Sequence, residues 1–154
     1  MKTKAEHVRS LRGVLDLQRF GVLATHDRGQ PYGSLVAFAA TPDLKRLVFA
    51  TERATRKYAN LTADGRVAMV IDTSSNRDSD LCEASAVTAT GRVREVKRKG
   101  GSRYRQLFVA KHPRLESFVS SPDCALLTIE VERYGIVSHF EDVTELSMKR
   151  TRRS

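Results

Sequence analysis

Cysteine is scarce in this 154-residue chain: Cys82 and Cys124 occur, with no C-x-x-C spacing. Two isolated thiols cannot staple a small secreted scaffold, so both read as reduced side chains. No apolar run approaches the roughly 20 residues that a transmembrane helix requires. The stretch Met1 to Arg12 is polar and charged and lacks the apolar core and small-residue cleavage site of a secretory signal. A cytoplasmic protein is therefore expected. Metal binding is not expected, because His7, His26, His112 and His139 are scattered and neither cysteine has a ligand neighbour at metal-site spacing. The absence of G-x-G-x-x-G and of G-x-x-x-x-G-K-[ST] excludes the common dinucleotide and phosphate loops. Without a G-x-S-x-G elbow, nucleophilic hydrolysis is excluded as well.

Acidic residues are outnumbered, 18 against 27 Lys and Arg, leaving a formal charge of +9. The excess is local. Arg92 to Arg105 holds seven basic residues and one acid, Lys149 to Arg153 holds four more, and the remainder is nearly neutral. A basic stripe can bind phosphate backbones, but zinc-finger spacing, heptads and an aromatic-rich RNA-binding strand are all missing. A solvated surface explains the charge, and nucleic acid is not expected as a partner. With 40% hydrophobic and 29% charged residues, the chain suits one packed domain. That domain is expected over residues 1–148, with 149–154 as a basic, disordered tail.

Periodicity then orders the chain. Val8, Leu11, Val14 and Leu15 recur at helical spacing and predict an amphipathic helix over Lys4 to Gln18. Phe20 to Thr25 and Pro31 to Ala40 flank the turn formers Asp27, Arg28 and Gly29, so a hairpin is predicted. After Thr41-Pro42-Asp43, a third strand runs from Arg46 to Thr51. A short helix follows within Arg53 to Asp64, with Thr55 able to cap its start. Arg66 to Asp72 is a strongly apolar fourth strand, Thr73 to Asp80 a loop, and the β-branched stretch Ala84 to Val96 a long fifth strand. A helix is predicted to stop near His112-Pro113, a short helical piece to cover Arg114 to Val119, and a bent sixth strand to span Cys124 to Ser138. Hairpin-linked strands with helices at the periphery give an α+β domain: a mainly antiparallel six-stranded barrel.

The segment Phe49-Ala50-Thr51-Glu52-Arg53-Ala54-Thr55-Arg56-Lys57 carries the clearest chemistry. A strand ends there and hands over to hydroxyls and cations at a helix start. Helix-start N–H groups carry partial positive charge, Arg offers a planar fork and Lys a mobile point charge, so the place suits a phosphate.

The order Ser34-Leu35-Val36-Ala37-Phe38, Phe49-Ala50-Thr51, Thr55-Arg56-Lys57, Asn60-Leu61 and Arg66-Val67-Ala68-Met69-Val70 resembles the pyridoxamine 5'-phosphate oxidase-like family of FMN-binding split β-barrels. The resemblance covers roughly residues 8–138 and is strongest from Phe20 to Asp72. It implies that Thr55, Arg56 and Lys57 grip the FMN phosphate. It further implies that Ala50 and Thr51 lie along the ribityl chain or ring, and that Ser34, Leu35 and Val36 meet the isoalloxazine largely through backbone groups. Ser85 is the residue that would reach the flavin from the other subunit, since members are usually homodimers with flavin at the interface. His139, just past the last strand, is a possible flavin or substrate contact. The C-terminal Arg-x-His substrate signature of the vitamin-converting oxidase does not occur, so a different small-molecule substrate is expected for an FMN-dependent oxidoreductase. A noncatalytic flavin-binding or sensing module, or a haem- or deazaflavin-binding relative, is the alternative; no C-x-x-C-H is present, and His139 is the attractive axial ligand for haem.

Overall fold

A computed structural model describes residues 2–97, 99–139 and 142–148. Helix α1 (Lys4–Leu17) is opened by a capping box: Thr3 Oγ1 accepts the Glu6 N–H while Glu6 accepts the Thr3 N–H, each at 3.2 Å. Strands β1 (Phe20–Asp27), β2 (Gln30–Ala40) and β3 (Arg46–Glu52) form a meander, and α2 (Arg56–Ala63) follows. Then come β4 (Arg66–Asp72), a single-turn α3 (Asp80–Glu83), β5 (Ala86–Glu95) and α4 (Ser102–Lys111). A 3₁₀ turn (Pro113–Leu115), α5 (Glu116–Ser120), β6 (Cys124–Ser138) and β7 (Asp142–Ser147) complete the described elements.

The strands run antiparallel in the order β3-β2-β1-β4-β5-β6, and β3 pairs again with β6, which closes a six-stranded barrel. The α+β barrel expected from the sequence is therefore the observed architecture. Closure depends on the length of β6. Its first half, Cys124 to Glu130, pairs with β3; its second half, Arg133 to Ser138, pairs with β7, while β5 pairs with it on the other edge between Leu127 and Val137. The register slips between the Thr90–Arg133 and Gly91–Val131 pairs, the bulge that lets β6 bend from one neighbour to the other.

Two elements depart from the sequence-based expectation. Strand β7 lies outside the barrel, where Leu146 is its one buried residue, so it carries no alternating apolar signal. The segment read as a loop up to Asp80 ends in the turn of α3, which buries nothing and has no hydrophobic period to read. The tail 149–154 and Arg98 of the basic segment lie outside the described residues. No helix among the described residues is long and apolar enough to cross a membrane.

Alternation fills the barrel. Leu23, Phe38, Phe49, Met69, Ile71, Val87, Ala89, Leu127 and Ile129 point inward, and Leu11 and Leu15 of α1 join the same cluster. Each such leucine contributes about 1.5–3 kcal/mol by leaving water. Tyr134 is fully buried and donates its hydroxyl to the Leu44 carbonyl at 2.6 Å; that bond holds the β2–β3 turn, where Leu44 takes a left-handed φ of 62°.

Lys111 performs a comparable task for α1. Its Nζ donates to the carbonyls of Leu15 and Gln18, both at 2.7 Å, and lies 4.1 Å from the centre of the Phe38 ring. These carbonyls belong to a helix end, where intrahelical donors have run out. Burial pulls the Lys111 pKa down to about 8, and a neutral amine can still serve both acceptors. Lys111→Met, which keeps the stem and removes the donors, is expected to destabilise the fold by about 1–3 kcal/mol, the cost of stranded acceptors. Urea unfolding monitored by circular dichroism checks this; an unchanged midpoint would mean that solvent caps α1 instead.

Candidate functional site at the split between β2 and β3

β2 and β3 part company after the Phe38–Phe49 pair. From Gln30 to Ala37, β2 pairs with β1 alone among the described residues, so one edge of its backbone is left open. Strand edges present N–H and C=O groups in alternation, available to any planar polar partner. β3 continues past the divergence through Ala50 and Thr51 and turns into α2. The split is thus bounded by Ser34 and Leu35 on one side and by the β3–α2 handover on the other.

Thr55 is the N-cap of α2: its Oγ1 accepts the Tyr58 N–H at 3.2 Å and donates to the Glu52 carbonyl at 2.9 Å, beside the buried Thr51 hydroxyl at 3.2 Å. In this arrangement the Thr55 hydroxyl shapes the helix start, and to donate to a ligand it has to give up the Glu52 carbonyl. The N–H groups of Arg56 and Lys57, in the first turn, have no intrahelical acceptor. Asn60 fixes the helix from below. Buried itself, it donates from Nδ2 to the Oγ1 of the buried Thr25 on β1 at 3.0 Å.

Charge pairing separates the cations around α2 into two groups. Arg53 is bound to Glu95 and to the Tyr58 hydroxyl, at 2.8 Å for the latter. Arg66 forks onto Asp64, with Nη2 at 2.7 Å from Oδ2, and holds that carboxyl well below the usual carboxylate range. His26 Nε2 also lies 3.1 Å from Asp64, while Nδ1 accepts the Gly29 N–H at 3.2 Å. Arg56 and Lys57 have no acid partner among the described residues. The Arg56 guanidinium sits over the Tyr32 ring of β2, 5.6 Å from its centre, and so bridges the split. Lys57 is half-buried, and desolvation pushes its pKa down.

Of the remaining residues singled out above, Leu35 is 67% exposed and Ser34 half-buried, but the Val36 side chain lies in the core, leaving only its backbone for a ligand. Ala50 and Thr51 border the split. Ser85 and His139 lie elsewhere: the Ala86–Val137 pair puts them together at the barrel end where β5 starts and β6 stops. The Ser85 carbonyl accepts the Thr73 N–H and the Ser85 N–H donates to the Thr73 hydroxyl, both at 2.9 Å, and His139 occupies an exposed turn with φ 50°. Tyr32 and Thr25 complete the corner without having been singled out from the sequence, and Asn60, part of the family-like order, had no role assigned there. An aromatic followed by Gly33 on an otherwise polar strand end was the one available signal for Tyr32.

Beside the split, the outer face of the sheet is apolar and uncovered. Val22 is registered against both Leu35 and Val70, all three are exposed, and Phe20 extends the strip at 56% exposure. A shallow cavity of about 390 Å³ runs along it.

A closed six-stranded antiparallel barrel, split along β2 and β3 and with a cationic helix start at the split, defines a split-barrel protein of the α+β class. A family model for pyridoxamine 5'-phosphate oxidase matches residues 8–138, and the chain belongs to that family. Among solved structures, a heme binding protein from Mycobacterium smegmatis superposes with a TM-score of 0.81 at 18% identity, over 96% of this chain and 59% of that one. The present chain thus spans less than two thirds of the mycobacterial protein. General Stress Protein 26 from Bacillus anthracis gives 0.71 at 18% identity, covering 92% and 99% of the two chains. A FAD-binding protein from Mesorhizobium loti gives 0.70 at 20%, covering 84% and 90%. At these identities the structural likeness establishes the fold. Comparison with curated proteins yields no match.

Proposed function

We propose that the chain binds FMN noncovalently, with the phosphate at the start of α2 and the ring along the open edge of β2, and acts as an oxidoreductase on a small molecule. One observation carries this reading: Lys57 is half-buried beside Arg56, and neither cation has an acid partner among the described residues. An internal structural role would ordinarily provide a carboxylate for a cation in that position. A phosphate dianion would answer both cations and the free first-turn N–H groups together. Thr55 keeps the helix start in place, Asn60 anchors it to β1, and Ser34 and Leu35 offer backbone groups and an apolar wall to a flat ring. Bound FMN supplies the redox chemistry, because the flavin ring itself accepts hydride or electrons.

The exposed strip of Phe20, Val22, Leu35 and Val70 supports a homodimer, with a second copy covering this face and Ser85 of that copy approaching the flavin. Flavin retention would then be coupled to dimerisation. Haem would require an axial ligand, and His139 stands in an exposed turn away from the split, so flavin is the better-supported cofactor.

The test is the absorption spectrum of the purified protein supplied with FMN, recorded before and after denaturation. A flavin spectrum released on unfolding is expected, and sedimentation should give a dimer. A haem spectrum, a deazaflavin spectrum or no saturable flavin binding would overturn the assignment. Turnover with a nicotinamide donor and an acceptor is expected of the enzyme; flavin that stays bound but cycles with nothing would leave the binding module.

The lowered Lys57 pKa adds a pH prediction. A lysine with a depressed pKa sheds its proton at lower pH than an ordinary one, and the neutral amine no longer attracts phosphate. FMN affinity should therefore fall on the alkaline side, and the fall should vanish in Lys57→Met, whose affinity is low at every pH. Fluorescence titration across pH checks both halves.

A further inference from the structure

Across the β3–α2 turn from the flavin split, the end of β5 and the start of β6 meet the start of α4 and the end of α5 around a separate pocket of about 330 Å³. Its floor is apolar, made by Val96, Val119, Leu126 and the buried Cys124, whose thiol burial keeps protonated. Its rim is polar and cationic, with Lys97, Arg105, Ser102 and Ser120 at the mouth. Arg53 also borders it, but Glu95 neutralises that guanidinium.

Arg105 is set in place. One guanidinium nitrogen donates to the Ser120 hydroxyl, which in turn donates to the Glu116 carbonyl at 2.7 Å, so α4 and α5 are tied across the mouth. The other guanidinium donors have no protein acceptor among the described residues, and neither Arg105 nor Lys97 has an acid partner there. Gly101 brings these groups over the floor. A Cβ at that position would stand 2.3 Å from Val96 Cγ1 and 2.7 Å from the Lys97 carbonyl oxygen, so the first turn of α4 rests directly on the end of β5. An apolar floor under two uncompensated cations and several hydroxyls matches a ligand with an apolar body and a charged head.

We propose that this pocket is a second ligand site, selective for a small organic anion: a phosphate monoester or carboxylate whose apolar body rests on Val96, Val119 and Leu126 while Arg105 and Lys97 hold its charged group. The site uses residues of the basic segment, which the flavin reading leaves without a role. It is independent of the flavin assignment, because the residues that would hold this ligand lie outside the split; the pocket shares with the β3–α2 turn only Arg53, which Glu95 already neutralises.

The test uses the full chain, labelled with ¹⁵N and titrated with phenyl phosphate, with and without saturating FMN. Inorganic phosphate and phenol serve as half-ligands. Saturable shifts are expected at the amides of Ser102, Ser120 and Leu126, unaffected by FMN, with phenyl phosphate binding about tenfold or more tightly than either half. Arg105→Gln, on an exposed helix surface, should weaken binding about tenfold or more, and Arg105→Lys should recover part of it. Shifts confined to Thr55–Lys57, or an unchanged affinity in Arg105→Gln, would overturn the proposal. So would tight, steeply salt-dependent binding of a single-stranded oligonucleotide with shifts spreading to Arg46 and Arg94, which would make this face a polyanion surface. Failure of FMN to bind would defeat the flavin reading and leave these outcomes readable.

Discussion

Arg56→Ala is expected to bind FMN about 10- to 150-fold more weakly than the parent chain, a loss of about 1.5–3 kcal/mol for a hydrogen bond between charged groups. The size follows from where Arg56 stands. Its guanidinium rests on Tyr32 across the split, so the fork is already oriented when a phosphate arrives, and no carboxylate has to be displaced first. The neighbouring Arg66 provides the control: it is engaged by Asp64, and Arg66→Ala should leave flavin affinity near that of the parent. Because Arg56 is exposed, its loss should disturb folding little, and the far-ultraviolet dichroism of the variant should match the parent. Fluorescence titration at two salt concentrations would measure the effect, which should shrink at high salt. Equal dissociation constants for Arg56→Ala and the parent would remove the phosphate from the start of α2.

Gly91→Ala should have the largest effect on stability, at about 3 kcal/mol, the upper end of what an inserted carbon usually costs in a packed interior. The added Cβ would lie 2.0 Å from the Glu130 carbonyl oxygen and 2.9 Å from its carbon. Both are backbone atoms of β6, which cannot turn aside as a long side chain would. The site is also the bulge at which β6 passes from β3 to β7, so separating the strands there loosens barrel closure. For a chain of this length, about 3 kcal/mol corresponds to a fall in Tm of roughly 6–12 °C. Gly13→Ala makes the opposite case. Nothing lies within 4 Å of its would-be Cβ, and in mid-helix the change should stabilise by about 0.5–1 kcal/mol. Scanning calorimetry on both variants should show opposite shifts. A Gly91→Ala chain as stable as the parent would mean that β5 and β6 are not packed as described.

The two predictions draw on different kinds of information. Thr55-Arg56-Lys57 was legible along the chain because a cap, a helix start and a cation cluster are local features, set by consecutive residues. Gly91 gave no such sign. Its importance comes from a strand about forty positions further on, whose backbone approaches it only once the barrel has closed.

The same contrast holds across the molecule. The sequence by itself determined the barrel strands, the helices α1, α2 and α4, and the cationic helix start, because alternation, helical spacing and capping act between near neighbours. It did not reveal β7, whose outward side chains leave no periodic signal. Only the tertiary structure decided that Tyr32 lies beneath Arg56, that Asn60 is pinned to Thr25, and that Val36 faces the core while Leu35 faces out. It also decided which cations are spent. Arg53 and Arg66 read in sequence much as Arg56 and Lys57 do, yet Glu95 and Asp64 neutralise the first two and not the second. Pairing of charge depends on distance through space, and strand register and barrel closure, which set those distances, are properties of the whole chain.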